Sequence, residues 1–240
     1  MSDTTASSDT TASQDALIGR LASRLRPVRR LASPWRRAAT WLGASLWLAG
    51  LLGLFTDWSA LAHRMMATPD MGLAFAGGLL TAITAAIAAF ITSVPGRTAW
   101  WAALPAPPLA LWLAASSAGC LRQTPAPFTK PEPHMHAMAC IYVIVLVAAP
   151  LAALLMLQLR RACPLRPGLT AALGGLASAG AAATLLALVH PFDATAEDLG
   201  AHFIAVVVVV GGAEILGKTR LGGRVTHSVP SHGAPSNPRL

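Results

Sequence analysis

The stretch that decides the fold is residues 167–192, PGLTAALGGLASAGAAATLLALVHPF, in which 26 consecutive residues lack a charged side chain. About 20 apolar helical residues are enough to cross the hydrocarbon core of a bilayer. Small residues recur every four positions, at Ala171, Gly175, Ala179 and Ala183. In lipid, close van der Waals contact drives helix association, and small residues permit it. The stretch therefore predicts a membrane-spanning helix inside a bundle.

The rest of the chain repeats this pattern. Hydrophobic residues make up 54% of the chain and charged residues only 12%, about half the charged share of a soluble domain, which excludes soluble and disordered proteins. Backbone groups in lipid must be satisfied within the segment, which favours helices. We expect an all-α membrane protein, a bundle of six transmembrane helices, whose other five spans are 38–56, 71–96, 98–121, 133–159 and 199–217. Prolines should kink or break the third span, at Pro105, Pro107 and Pro108.

Basic residues predict the orientation of the bundle, because lysine and arginine are retained on the cytoplasmic side. With the N-terminus inside, fifteen of the 18 basic residues lie in the cytoplasm, and the exceptions are Arg64, Arg122 and Lys130. Both termini are therefore expected to be cytoplasmic. Ser33 and Pro34 fit the N-cap and first position of the first spanning helix.

The polar termini suggest four regions. Residues 1–12 and 218–240 are expected to be disordered, 13–37 to form a cytoplasmic amphipathic segment, and 38–217 to form the transmembrane domain. Within 13–37, Ser13 is expected to cap a short helix that runs to Arg26. Its apolar stripe and the arginines predicted for its opposite side suggest a binding surface, which comprises Leu17, Ile18, Leu21, Arg24 and Leu25.

Two partners fit this segment. A basic amphipathic helix next to a span can lie on the anionic inner leaflet of the membrane. Alternatively, a soluble protein can accept the leucine edge in a groove and meet the arginines with acidic residues on its rim. Composition alone does not choose between the two.

The outer face carries a second group of candidate residues. Cys120 ends the third span and Cys140 lies early in the fourth, so their sulfurs are expected near the same face. His134 and His136 lie between them, and two thiolates with two imidazoles could hold a soft metal ion or zinc. Three interpretations remain open: a redox-active or structural cysteine pair, metal capture, or two ordinary buried thiols.

Other polar residues have simpler explanations. Glu214 lies four residues before Lys218, which predicts an interfacial ion pair rather than proton transport. Cys163, in a cytoplasmic loop, is interpreted as a bystander thiol. The sequence shows no catalytic constellation or phosphate-binding loop, so we do not expect an enzyme, a resident cofactor or direct nucleic-acid binding. A small transporter or metal-binding membrane protein is the first alternative function, and a membrane thiol oxidoreductase is the second.

Several segments together resemble a known family, the NrsF-type multi-pass membrane anti-sigma factors of proteobacteria. The resemblance covers roughly residues 15–220, and both the order and the spacing of its segments match. Those segments are LRPVRRL at 25–31 followed by Pro34 and Trp35, VPGR at 94–97, LWL at 111–113 leading to Gly119 and Cys120, PLRP at 164–167, and His190-Pro191-x-Asp193.

The resemblance implies an inner-membrane protein that binds an extracytoplasmic-function sigma factor through its cytoplasmic N-terminal segment. It also implies that stress releases the sigma factor. In such proteins a cysteine pair senses thiol-reactive metals or oxidants, a role that carries over here to Cys120 and Cys140 only. His134 and His136 could shift this chain towards metal binding.

Overall fold

The computed structural model describes residues 4–24, 31–122, 133–189 and 196–222. The helices are α1 (Thr4–Ser23), α2 (Pro34–Gly53), α3 (Trp58–Ala67), α4 (Pro69–Thr92), a 3-10 helix (Ala99–Ala103), α5 (Ala106–Arg122), α6 (Pro133–Leu159), α7 (Pro167–Val189) and α8 (Ala196–Gly222). The chain divides into two compact units, Met1–Leu31 and Ala32–Leu240. The first contains α1, and the second contains a helical bundle.

Helix α7 lies at the centre of the bundle, as its small residues predict, and packs on α4, α6 and α8. A Cβ atom on Gly175 would lie 2.9 Å from the Cα atom of Val210 in α8, and one on Gly180 would lie 3.2 Å from the carbonyl oxygen of Gly78 in α4. The missing side chains thus let backbones approach directly. Buried alanines from α4 and α7 fill much of the core around them.

Four helical stretches are long and apolar enough to cross a membrane within the described residues: Pro69–Thr92, Ile141–Leu159, Pro167–Leu188 and Leu199–Leu221. Helices α2 and α3 together would make a fifth if the bent pair is one span. The prediction of an all-helical chain with several apolar spans agrees with the described residues. The third of the six expected spans, residues 98–121, is not a single helix.

The third predicted span is broken where the prolines predicted a kink or break. A short 3-10 helix covers Ala99–Ala103, and the 17-residue α5 begins only at Ala106. Pro105, Pro107 and Pro108 cannot donate backbone hydrogen bonds, so they fit the first turn of α5 but interrupt a continuous helix. The break that the prolines predicted in the third span is therefore confirmed.

The first predicted span also ends earlier than expected. Helix α2 stops at Gly53, and α3 follows at an angle of 106°, in a region expected to be an outer loop. Asp57 starts α3 because its carboxylate accepts hydrogen bonds from the amides of Ser59 (3.1 Å) and Ala60 (3.0 Å). The indole of Trp58 donates to the carbonyl oxygen of Gly53 at 3.1 Å, which satisfies a carbonyl group left free at the end of α2.

The start of α2 and the ends of α4, α6 and α8 lie at one end of the bundle. Arg37, in the first turn of α2, bonds Ser93 beyond α4 and Gln158 near the end of α6. Gly168, near the start of α7, packs on Lys218 of α8. Most basic side chains of the bundle's described residues belong to this end: Arg36, Arg37, Arg97, Arg160, Arg161, Arg166, Lys218 and Arg220. This clustering is the one that the charge asymmetry predicts, although the side of the membrane stays a prediction.

Helix α1 differs from its sequence-based expectation at both ends. It begins at Thr4 rather than after Ser13, so residues 4–12, expected to be disordered, are helical. Ser13 lies within the helix and is not its N-cap. No glycine or proline interrupts the sequence before Gly19, which leaves nothing to stop the helix at Ser13. At the other end α1 stops at Ser23, whose hydroxyl bonds the carbonyl oxygen of Arg20 at 2.9 Å, three residues before the predicted end at Arg26.

Candidate partner-binding segment and its anchor

The apolar stripe of α1 is exposed. Leu17, Ile18 and Leu21 are 52%, 62% and 58% exposed, values typical of side chains without a packing partner. Arg24 is exposed in the turn that follows the helix, while Leu25 lies outside the described residues. The segment thus offers an apolar edge for binding, but which partner covers it stays a prediction.

Arg20 in α1 and Arg24 in the turn that follows it lie beside the apolar stripe, not opposite it. Arg20 and Arg24 each follow a leucine of the stripe by three residues, and residues three apart are neighbours on a helix surface. Leu17 and Leu21 therefore have guanidinium groups along one edge, and Ile18 lies on the other side. A surface of this kind suits a partner with an apolar groove and an acidic rim on one side.

Arg37 anchors the beginning of α2. Its guanidinium is buried, with the side chain 5% exposed, and it donates to the Ser93 hydroxyl at 3.2 Å and to the Gln158 carbonyl oxygen at 2.6 Å. It also lies 4.8 Å from the ring centroid of Phe90. Ser93 caps the end of α4, and Gln158 is the penultimate residue of α6. The cation therefore lies at two helix C-termini, where the helix dipoles favour positive charge.

Two further side chains of α2 reach α6. The indole of Trp41, fully buried, donates to the carbonyl oxygen of Leu151 at 2.9 Å. The hydroxyl of Thr40 accepts from the side-chain amide of Gln158 at 3.3 Å. Arg37, Thr40 and Trp41 occupy positions i, i+3 and i+4, which share one face of a helix. The start of α2 is thus fastened to α6 by hydrogen bonds.

The predicted N-cap of α2 is confirmed. Ser33 accepts a hydrogen bond from the amide of Arg36 at 3.4 Å, and Pro34 is the first residue of the helix. This cap lies four residues before Arg37 and fixes the first residue of α2. In the sequence, Arg37 looks like any other basic residue expected in the cytoplasm, and no local pattern predicts its burial.

The candidate sensor residues are placed only by their backbone. Cys120 lies in the last turn of α5, and His134, His136 and Cys140 lie in the first two turns of α6. Their side chains fall outside what the structure describes, so the disulfide and metal-site hypotheses stay predictions. Helix α5 packs mainly on α4, whereas α6 packs on α7 and α8. A bond between the cysteines would therefore link two helices that have different neighbours.

The structure also describes Glu214 and Cys163. Glu214 and Lys218 form an ion pair at 2.7 Å on α8, as predicted. Cys163 is exposed and is not in a disulfide, in a left-handed backbone conformation with φ 46°. Among the described residues, no group of three or more potential ligands could hold a metal ion.

Most of the chain matches one known protein family. Residues 21–221 match the family model described as "NrsF: Negative regulator of sigma F", which includes the end of α1 and all of the bundle. Neither the curated proteins nor the solved structures contain a match to the chain.

Proposed function

Because the chain belongs to the NrsF family of negative regulators of sigma F, we propose that it is a membrane-embedded anti-sigma factor for an extracytoplasmic-function sigma factor. The match over residues 21–221 carries this proposal. The apolar helices supply the membrane anchor, and the family description supplies a sigma factor as the partner. A regulator of this kind works by binding and needs no catalytic group.

The exposed edge of α1 is the proposed contact with the sigma factor. Leu17, Ile18 and Leu21 present apolar area that a groove can bury, and complete burial of a leucine side chain contributes about 2 kcal/mol. Arg20 and Arg24 lie along the same edge and can pair with acidic residues on the groove rim. Leu25 is expected to extend the contact, since it follows Leu21 by four residues.

Co-purification tests this contact. The full-length chain, in detergent, is incubated with the extracytoplasmic-function sigma factor encoded nearest to its gene, and the dissociation constant is measured. Replacing both Leu17 and Leu21 with Asp should weaken binding at least about a hundredfold, because two buried apolar side chains are lost. The matched control replaces Ala12 and Ala16 with Asp, which adds the same charge away from the stripe.

The two variants separate the alternatives. The proposal requires the leucine variant to lose the sigma factor while the alanine variant keeps it. Equal weakening in both would mean that charge, and not the leucine edge, determines binding. Failure of the unmodified chain to bind would reject the sigma factor as partner and leave the membrane surface as the partner of α1.

The orientation follows from the basic end of the bundle. That end holds the start of α2 and most arginines of the bundle's described residues, and positive residues favour the cytoplasm. If this end faces the cytoplasm across a bacterial inner membrane, the N-terminal segment can bind soluble sigma factor. Cys120 and Cys140 then lie towards the periplasm. Reporter fusions to both termini test this, and an N-terminal fusion that is active only in the periplasm would contradict it.

Release is proposed to begin at Cys120 and Cys140, on reaction with a thiol-reactive metal or oxidant. To shift a two-state equilibrium from 99:1 to 1:99, the signal must change the free-energy gap by about 5.5 kcal/mol. One disulfide supplies about 2–4 kcal/mol, so helix packing must contribute the remainder. A bond between the two cysteines would fix the position of the first turns of α6 relative to α5.

Replacing both cysteines with serine tests the sensor. The double variant should lose its response to cadmium ion or hydrogen peroxide, measured as transcription from a promoter of the sigma factor. Replacing Cys163 with serine is the matched control, since that thiol lies in the loop after α6, and it should keep the response. A double variant that responds fully would reject the sensor assignment.

A further inference from the structure

Helix α2 is attached to the bundle through its first two turns. Its buried residues are Arg37, Ala38 and Trp41, whereas Leu46 and Trp47 in later turns are 74% and 72% exposed. In the later half of α2, Leu48 is partly buried against the core, but the fully buried residues all lie in the first two turns. This attachment differs from that of α7, which is buried along most of its length.

The attachment is a compact set of polar contacts, here named the α2 clasp. Its donor and acceptor groups on α2 come from three residues on one face, and those on the bundle come from the residue that ends α4 and from the last three turns of α6. The clasp consists of Arg37, Thr40 and Trp41 on α2 with Ser93, Leu151 and Gln158 on the bundle.

The geometry of the clasp fits one position of α2 relative to α6. The carbonyl groups of Leu151 and Gln158 lie seven residues apart, two turns along one face of α6, and Arg37 and Trp41 reach them from one face of α2. A charged donor away from water forms stronger hydrogen bonds than a neutral one. Separation of α2 from α6 would leave the guanidinium of Arg37 and the indole N–H of Trp41 without these acceptors, so the clasp favours one defined position of α2.

The clasp joins the two chain segments next to the regions of proposed function, since α2 follows the N-terminal segment in sequence and α6 carries Cys140. Arg37 ends the N-terminal segment 13–37, and α6 carries Cys140 about 27 Å from Gln158 at 1.5 Å per residue. Pro150 lies within α6, before both acceptors and after Cys140. Because proline lacks a backbone amide, it weakens the helix at this position and permits bending.

We propose that Arg37 is a positioning residue: the α2 clasp holds the start of α2, to which the N-terminal segment is joined in the chain, and a movement of α6 that opens the clasp releases the bound partner. The inference rests on the proposed function, and it adds the connection between the cysteine end of α6 and the binding segment. Bending at Pro150 would shift the half of α6 that carries Leu151 and Gln158, and α2 would lose its anchor.

A cross-linking experiment tests the contact itself. Thr40 and Gln158 are replaced with cysteine in full-length chain whose three native cysteines are serine, and a short bismaleimide is added to intact membranes. Arg37→Met should lower the cross-linking yield at least about tenfold, as expected for loss of charge-assisted hydrogen bonds, and Arg37→Lys should lower it less. The matched control is Arg36→Met, since Arg36 is exposed in the same turn.

Transcription tests the coupling in chains that keep their native cysteines. Without an inducer, Arg37→Met should raise transcription from a sigma-dependent promoter about tenfold or more, while Arg36→Met leaves it within about twofold. Trp41→Phe keeps the ring but loses the hydrogen bond to Leu151, so it should give a smaller increase. The amount of each variant in the membrane is measured in parallel, and if Arg37→Met does not accumulate, Trp41→Phe decides.

The outcomes are distinguishable. The proposal holds if cross-linking yield falls and transcription rises in the same order of variants. It is overturned if an accumulated variant loses cross-linking but represses like the unmodified chain, or if cross-linking does not change. If the unmodified chain fails to repress, the proposed function falls together with the coupling, while the cross-linking order still reports on the clasp.

Discussion

Helices α7 and α2 are held in the same bundle by different means. Helix α7 is buried by close contact of small residues with three neighbours, whereas the buried residues of α2 are confined to its first two turns and include the donors of hydrogen bonds to Ser93 and α6. Contacts between small residues are numerous and individually weak, so they fix α7 firmly. The few polar contacts of α2 can be broken together, which suits a helix next to a partner-binding segment.

The largest effect is expected from a side chain added at the centre of α7. Gly175→Val would place a Cβ atom 2.9 Å from the Cα atom of Val210, so the helices must separate, and we expect the free energy of unfolding to fall by about 3 kcal/mol. The control is Gly43→Val on α2, where nothing lies within 4 Å. The free energy of unfolding of both variants is measured in detergent micelles titrated with dodecyl sulfate. An equal loss of stability in the two variants would contradict the contrast between α7 and α2.

A smaller effect is expected from one contact of the clasp. Ser93→Ala removes a buried acceptor of Arg37 and should lower the free energy of unfolding by about 2 kcal/mol, as for other hydrogen bonds to charged groups. Thr92→Ala is the neighbouring control, because the Thr92 hydroxyl bonds Ala88 of its own helix. If both variants lose the same stability in the micelle titration, the bond between Arg37 and Ser93 contributes nothing of its own.

The smallest effect concerns the bend between α2 and α3. Hydrogen bonds from the amide of Ala60 and from Ser59 lower the pKa of Asp57, so the folded state favours the charged carboxylate. The stabilisation that the charged cap contributes is therefore fully present above the ordinary carboxyl pKa of about 4. It is lost as the pH falls through the lowered pKa of Asp57.

Hydrogen exchange of the Ser59 and Ala60 amides measures this cap. In the unmodified chain, protection of these amides should decrease as the pH is lowered. It should change less in Asp57→Asn, which keeps a side-chain acceptor without the charge. Identical pH profiles for the two proteins, after correction for intrinsic exchange, would remove the assigned role of the carboxylate.

Local signals predicted the parts of the fold that depend on neighbouring residues. The Ser33 cap, the bounds of α6, the break at Pro105 and the ion pair of Glu214 all follow from positions a few residues apart. The central place of α7 also followed from its own sequence, because small residues along a helix indicate close packing whichever helices supply the partners.

The missed features have two causes. Helix α3 carried a readable signal, since Asp57 precedes it in the N-cap position, but the region was interpreted as a loop because it separates two apolar stretches. The burial of Arg37 had no local signal. Its partners lie 56 and 121 residues away in the sequence, so only the packing of α2, α4 and α6 distinguishes Arg37 from its exposed neighbour Arg36.

Photo-cross-linking at Leu21 tests the central claim most directly. A photoreactive amino acid is placed at Leu21, or at Ala12 as control, in full-length chain expressed in its membrane together with the sigma factor. The account predicts a covalent adduct with the sigma factor from position 21 and much less from position 12. Adducts with lipid alone from position 21, or equal yields from both positions, would contradict the claim that this edge of α1 binds the regulator.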